Sequence, residues 1–275
     1  MVFKRLFGSG GIPLEIDTIV PDEPVRPGGR LKGEVVVRAP ERDLKIESIR
    51  MRLVANASLA HKGDGDGTDD GTTLCYPSAS GWFELKKGEE RRIPFSERLK
   101  WETPPNETRG ERLGVSIGVR TEVEAVGVKA ATDLDPVRVE TLPLHEAVLD
   151  AFAAEGYAFE SSRVYESALP RVEYHLYLWQ GFRLADRRGG EGRAPRVELV
   201  FHTNAVGSEI FLRRFREGGD RYWNNKPKAL RFVAAHHEAG SRDFDADARA
   251  WLEALARLRN DEKGAKGAKD AKDDD

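Results

Sequence analysis

Gly114-Val-Ser116-Ile-Gly118 is the stretch whose residue types and spacing come nearest to reactive chemistry. It matches the Gly-x-Ser-x-Gly of a nucleophile elbow, where a strained strand-to-helix turn lifts a serine hydroxyl beside backbone donors. An elbow needs a helix after its second glycine. Here Val119, Thr121, Val123 and Ala125 alternate with Arg120, Glu122 and Glu124, so the chain runs on as a strand with one apolar and one polar face. Strands and helices also fail to alternate along the chain as an α/β-hydrolase requires. Ser116 is therefore expected in mid-strand, on the polar face with Arg120 and Glu122, and a serine hydrolase using Ser116 is kept as the remote alternative.

Metal chemistry finds less support. Gly63-Asp-Gly-Asp-Gly-Thr-Asp-Asp-Gly71 imitates the start of a calcium loop through Asp66, Thr68, Asp70 and Gly71. Twelve residues counted from Asp66 end on Pro77, where the loop needs a bidentate Glu, and no flanking helices are legible. The stretch reads as a solvated hairpin loop. His236 and His237 are adjacent, so strand geometry turns their side chains apart, and His61, His145, His175 and His202 lack zinc-site spacing. No metal and no cofactor is expected.

Charge is distributed unevenly. Arg213, Arg214, Arg216, Arg221, Lys226, Lys228 and Arg231 face only Glu217 and Asp220, with Phe215, Tyr222 and Trp223 interleaved. Such a mixture suits phosphates, anionic headgroups or stacked bases. Its plainer reading is a solvated hairpin whose aromatics reach the core. Phe3, Leu6 and Phe7 beside Lys4 and Arg5 raise the same choice between a membrane surface and the chain's own domain.

The elements that would position these groups are mostly strands. The 275 residues allow one large domain or two ordinary ones, and 33% charged residues describe a soluble globular chain. A net charge of −3 argues against nucleic acid bound along the whole length. The single Cys75 excludes an internal disulfide. The first residues lack the apolar run of a secretory signal, and no apolar stretch approaches the roughly 20 residues that span a bilayer. A cytoplasmic, soluble protein is expected, peripheral to membrane at most.

In order, Leu14–Val20, Arg30–Arg38, 44–54, Trp82–Leu85 and Arg92–Phe95 read as short strands broken by Gly and Pro turns. The apolar parity changes between Ile46 and Ile49, which predicts a bulge near Ser48. Asp133–Pro136 reads as a turn and Val137–Glu140 as one more strand. Leu144, Val148, Leu149 and Phe152 predict a helix over Leu144–Glu155, preceded by Pro143 and stopped by Gly156, that joins two halves. Beyond it, Val172–Trp179, Val197–Phe201, Ile210–Phe215 and Leu230–Val233 predict a second sheet system. Phe244, Ala248, Trp251, Leu252, Leu255 and Leu258 form a helical stripe with Asp243 or Asp245 as N-cap. The stripe, with Trp251 and Leu255 at its centre, either docks on the second sandwich or mediates a homodimer. The Lys/Gly/Ala/Asp tail is low in complexity and expected to be disordered.

Six segments, in order, resemble a known family. They are Phe3-Lys-Arg-Leu-Phe-Gly8, Arg26-Pro-Gly-Gly-x-Leu-x-Gly33, Trp101-Glu-Thr-Pro104, Gly118-Val-Arg-Thr-Glu122, Asp133-Leu-Asp-Pro-Val137 and Val148-Leu-Asp-Ala-Phe152. Across roughly the first 155 residues the chain resembles the bacterial sporulation-control proteins of the stage-zero M type, which are arrestin-like. The resemblance implies two tandem β-sandwiches, no catalysis, and a cytoplasmic role in sporulation or cell-shape control. It supplies no ligand residues.

The expectation is thus an all-β protein with minor α. A first sandwich covers 1–142, a linker helix 143–156, a second sandwich 157–240, a C-terminal helix 241–260 and a disordered tail 261–275. Its function is that of a non-enzymatic interaction protein or scaffold with unidentified protein partners. Arg120, Glu122, Trp251 and Leu255 are the candidate partner surface. The alternative is a binder of anionic lipid or phosphate through Arg213, Arg214, Arg216, Arg221, Lys226 and Lys228.

Overall fold

A computed structural model describes residues 13–56, 58–59, 71–77, 81–167, 169, 176–189, 195–215 and 229–273, with backbone alone at 58–59 and 259–273. In chain order the strands are β1 (Glu15–Ile19), β2 (Arg30–Arg38), β3 (Leu44–Ala55), β4 (Ser58–Leu59), β5 (Thr72–Cys75), β6 (Phe83–Leu85), β7 (Glu90–Arg98), β8 (Glu107–Thr108), β9 (Glu111–Arg112), β10 (Ile117–Ala125) and β11 (Ala131–Pro136). Helix α1 (Pro143–Ala154) follows, then β12 (Tyr157–Glu166), β13 (Trp179–Asp186), β14 (Arg196–Thr203), β15 (Gly207–Phe215), β16 (Leu230–Ala235) and helix α2 (Phe244–Asp273). The chain divides into two compact units. One is built on Met1–Ala57 and Asp66–Glu140, the other on Ser58–Gly65 and Thr141–Asp275.

The first unit is an antiparallel sandwich. A sheet in the order β1-β2-β7 faces a sheet in the order β11-β10-β3-β5, to which β6 adds along β3. Alternation sends Val35 and Val37 of β2, Ile49, Met51 and Leu53 of β3, and Val119 and Val123 of β10 inward, where all are buried. A polar pair between these layers is satisfied internally: the Thr18 hydroxyl bonds the Thr121 hydroxyl at 2.7 Å. The expected bulge is present, because Glu124 opposes Ser48 while Ala125 opposes Ile46, leaving Glu47 as the extra residue.

Asp133–Pro136 is not the turn the sequence suggests but part of β11, paired along β10. Its carboxylate explains why Asp is tolerated there. Asp133 accepts the backbone N–H of Thr18 at 2.8 Å and of Leu134 at 2.9 Å, so it seals the place where the edges of β1 and β11 meet. Val137–Glu140, expected as a strand, makes isolated bridges instead, Val25 with Val139 and Glu107 with Glu140.

The second unit carries a sheet in the order β16-β15-β14-β13-β12-β4. Helix α1 begins with Pro143 in its first turn, and Gly156 takes a left-handed φ of 87° just past its end. It is not a free joint between halves but part of this unit, with Phe152 packed edge-on to Tyr157 and tilted against Trp251. Asp243 is the N-cap of α2, accepting the Ala246 N–H at 3.0 Å. Phe244, Ala248, Trp251 and Leu255 are buried, and Trp251 stacks on Phe232 of β16 at 4.3 Å. Helix α2 continues through the stretch expected to be disordered, as helix propagates more readily than it nucleates once a docked turn exists.

Both faces of the central strands β13, β14 and β15 are buried. Phe182, Leu199, Ile210 and Leu212 lie on the helix side, while Tyr165, Trp179, Val200 and Phe211 form a cluster on the other. Strand β4 adds to this sheet in parallel, Ser58 beside Tyr165 and Leu59 beside Glu166. A segment from between two strands of the first unit thereby completes the sheet of the second.

Candidate functional site

Ser116 does not sit in an elbow. It precedes β10 in extended backbone, exposed, donating its N–H to the Asn56 side-chain oxygen at 2.7 Å and accepting the Asn56 N–H at 3.0 Å. Strand β10 follows it directly, and the described histidines, His145, His202, His236 and His237, belong to the second unit. Among the described residues, Ser116 therefore has no histidine base in its own unit. Gly118 has a packing reason of its own. A Cβ there would lie 2.9 Å from both the Asp135 carbonyl oxygen and Leu134 Cδ1, so glycine lets β11 close on β10.

The loop 63–70 lies outside the described residues. Among those described, the carboxylates that gather within 4.8 Å of one another are Asp17, Asp133 and Asp135. Burial first, and then Asp133, push the Asp17 carboxyl above its ordinary range. Asp133 already serves two backbone amides, so the group closes the seam between β1 and β11. The Asp-x-Asp of Asp133 and Asp135 was the available signal for it.

The second unit holds two buried polar clusters that sequence reasoning missed. In the first, His145 of α1 is fully buried, stacked on Phe201 at 4.2 Å. Its Nε2 lies 3.1 Å from both the Thr203 and Ser208 hydroxyls, which lie 2.9 Å from each other. Burial holds its pKa down at about 3, so the ring is neutral at physiological pH. A serine beside a neutral histidine resembles a catalytic pair, but Ser208 and Thr203 are as deeply buried as the ring. These contacts pin α1 to β14 and β15.

In the second cluster, Glu198 of β14 is wholly buried between Arg213 of β15 and Arg183 of β13. Arg213 Nε donates to Glu198 at 2.6 Å, and Arg183 Nε lies 3.6 Å from the same carboxylate. Arg183 also donates to the Tyr165 hydroxyl and sits 3.9 Å over the Phe215 ring. Gly181 makes room, since a Cβ there would fall 2.5 Å from Glu198 Oε1.

This arrangement corrects the basic patch. Arg213 is 2% exposed and points into the unit, because strand alternation puts it on the same face as Glu198. Arg214 donates to the Leu255 carbonyl of α2 at 3.3 Å, and Arg231 is paired with Glu209. Arg216, Arg221, Lys226 and Lys228 lie outside the described residues, as does Phe3–Phe7. Trp251 and Leu255 are likewise buried within their own unit, so the α2 stripe docks in cis and presents neither residue to a partner.

Arg120 and Glu122 do face outward, on the β11-β10-β3-β5 sheet. Two different halves make up this face. In one, Arg50 opposes Glu122 at 3.6 Å and pairs with Glu124, which also accepts the Ser48 hydroxyl at 2.8 Å. The Ser48 bond, followed by Arg50, holds the Glu124 carboxyl below its usual range. In the other half, Arg120 stands directly opposite Arg52. Leu134, 48% exposed, flanks Arg120 from β11.

The sequence profile of the family described as Spo0M: SpoOM protein matches residues 3–218. The sporulation-control protein spo0M of Bacillus subtilis (strain 168) is 27% identical over 224 residues, covering 80% of this chain and 83% of that protein. The crystal structure of Spo0M, sporulation control protein, from Bacillus subtilis superposes with a TM-score of 0.72 at 22% identity, covering 89% of this chain and 98% of that one. That likeness shows the fold, mostly β and arrestin-like. Among the described residues no helix is long and apolar enough to cross a membrane.

Proposed function

Since the chain belongs to the Spo0M family of sporulation-control proteins, we propose that it is a non-enzymatic regulator that works in the cytoplasm by holding a protein partner on the outer face of its first sandwich. The observation that carries this reading is the family match across residues 3–218, joined to a similarity with a sporulation-control protein along most of both chains. Two structural features support it. The serine that spacing singles out lies exposed in a unit with no histidine among its described residues, and the buried serine beside His145 is closed to substrate. The outward face of β3 and β10, by contrast, carries Arg50, Arg52, Arg120 and Glu122 on rigid strands, where side chains hold fixed spacings.

A photo-crosslinking residue placed at Glu122 in the native cell tests the reading. Protein adducts should form there and be absent when the same residue replaces the buried Val119. Equal adducts at both positions, or none at Glu122, would overturn it. Labelling of the purified chain by a fluorophosphonate, abolished by Ser116→Ala, would move the protein to the hydrolases.

A further inference from the structure

Strand β16 ends the sheet of the second unit, and among the described residues no strand lies on its far side. The ladder fixes which backbone groups face that side. His236 donates its N–H to the Val206 carbonyl at 3.0 Å, one position past the pair of Ala235 with Gly207. Antiparallel pairs alternate between bonded and unbonded, so Ala234, Phe232 and Leu230 carry the bonds to β15. Ala235, Val233 and Arg231 then turn their N–H and C=O groups outward.

Strand edges are commonly protected by their own sequence. Strand β7, which ends a sheet of the first unit, has Pro94 in its middle and charges at both ends. Strand β16 has neither device. Leu230-Arg-Phe-Val-Ala-Ala235 contains no proline or glycine and a single charge, and Val233 is 64% exposed. Its protection comes from the segment that follows. Glu238, in the 3₁₀ turn His236–Gly240, accepts the Ala235 N–H at 2.6 Å. Arg242 donates to the Val233 carbonyl at 3.0 Å and to Glu238 at 3.4 Å. Its Nε donates at 2.6 Å to Asp247 in the first turn of α2, which holds the guanidinium in place. An outward N–H and an outward C=O are thus filled by side chains. Among the described residues nothing fills the Val233 N–H or the backbone groups of Arg231.

We infer that Glu238 and Arg242 form a clasp that shuts the β16 edge against a second copy of this chain. The register of the strand selects that occupant. In a two-fold antiparallel pairing centred on Phe232, Arg231 stands opposite Val233 of the second copy, and Ala235 stands opposite its Ala229. Every one of these positions faces outward, so each pair exchanges N–H···O bonds. Those bonds require the Val233 carbonyl and the Ala235 N–H, the two groups that the clasp occupies. Closed, it keeps the chain single at this edge; open, it lets β16 pair with β16.

Sedimentation velocity of the full chain over a concentration series tests the clasp. Glu238→Ala with Arg242→Ala should dimerise at least about tenfold more tightly than wild type, since it frees buried-ladder donors and acceptors for the pairing. Adding Val233→Pro to that variant removes an outward N–H that the single chain leaves unused, and should return association to the wild-type level. Hydrogen exchange supplies a reading that does not depend on the variants folding. In dilute wild-type protein the Phe232, Ala234 and Ala235 amides should be protected and the Val233 amide should exchange fast. In the dimer of the double variant, Val233 should become protected as well. A Val233 amide as protected as Phe232 in dilute wild type would mean the edge is already covered, and would overturn the inference. So would a double variant with the wild-type circular dichroism spectrum that stays as monomeric as wild type, or a dimer that survives Val233→Pro.

Discussion

Two sheets of this molecule use the same cross-strand unit, an arginine beside a glutamate, with opposite consequences. On the first unit Arg50 meets Glu122 and Glu124 at the surface, its side chain 55% exposed. On the second unit Arg213 meets Glu198 with side chains 3% and 0% exposed. Water and salt screen the first pair, which can be rearranged at little cost. The second has left water entirely, and each charge depends on the other to offset its lost hydration. Geometry alone does not tell these cases apart. What decides is whether the opposite face of the strand also packs, as it does for β14 and not for β10.

The comparison can be broken most forcefully at Glu198. Glu198→Gln leaves two guanidiniums short of their carboxylate, and urea unfolding should show a loss of about 3–5 kcal/mol. Replacing Arg183, Glu198 and Arg213 together by Met, Leu and Met should recover most of that loss, because an apolar trio needs no counter-charge. If the single variant unfolds at the wild-type midpoint, the buried pair is not what the second sheet depends on.

Acid offers the next largest effect. His145 has a folded pKa of about 3 against an ordinary value near 6.5. The unfolded chain therefore binds the extra proton throughout that interval. Stability is intact above pH 6.5 and falls as pH drops toward 3, by up to about 1.4 kcal/mol per pH unit from this group. Unfolding curves taken between pH 7 and 4 should show the slope, and His145→Leu, less stable at neutral pH, should flatten it.

Gly118→Val is expected to cost about 1–3 kcal/mol through contact with the Asp135 carbonyl and Leu134, read as a shifted denaturation midpoint. Smallest of all, Arg50→Ala should leave the melting temperature nearly unchanged despite removing two ion pairs. A large drop there would mean that the surface pair resembles the buried one more than its exposure suggests.

Much of the first unit was legible because its strands have one wet face. The parity change between Ile46 and Ile49 located the bulge, and Val35-Val36-Val37 centred β2 within its observed bounds. Helix punctuation was equally readable at Pro143, Gly156 and Asp243. The second unit was harder. Strands buried on both faces lose the period-two signal, so most of β13 went unrecognised, as did the half-exposed β12, and Val172–His175 of the expected central strand lie outside the described residues. Arg120 and Glu122 stand, as strand alternation predicts, on the polar face of β10. Arg213 was misread as surface because charge runs usually are. The warning was the lone Glu198 inside Val197-Glu-Leu-Val200, opposite the first arginine after Ile210-Phe-Leu212: an acid inside one apolar strand facing a base at the end of another reads as a buried pair.

Strand β4 carries a consequence for synthesis. Ser58 and Leu59 emerge from the ribosome early, yet the strand they pair with, ending at Tyr165 and Glu166, emerges only after the whole first sandwich has been made. The nascent chain must keep a sticky edge segment unspent while the strands on either side of it fold. For the same reason a cut at the boundary after Glu140 does not yield two self-sufficient pieces: the downstream piece lacks a strand, and the upstream piece carries one with nowhere to lie. Evolution can lengthen the segment that follows β4, but it cannot shuffle the two halves as independent modules.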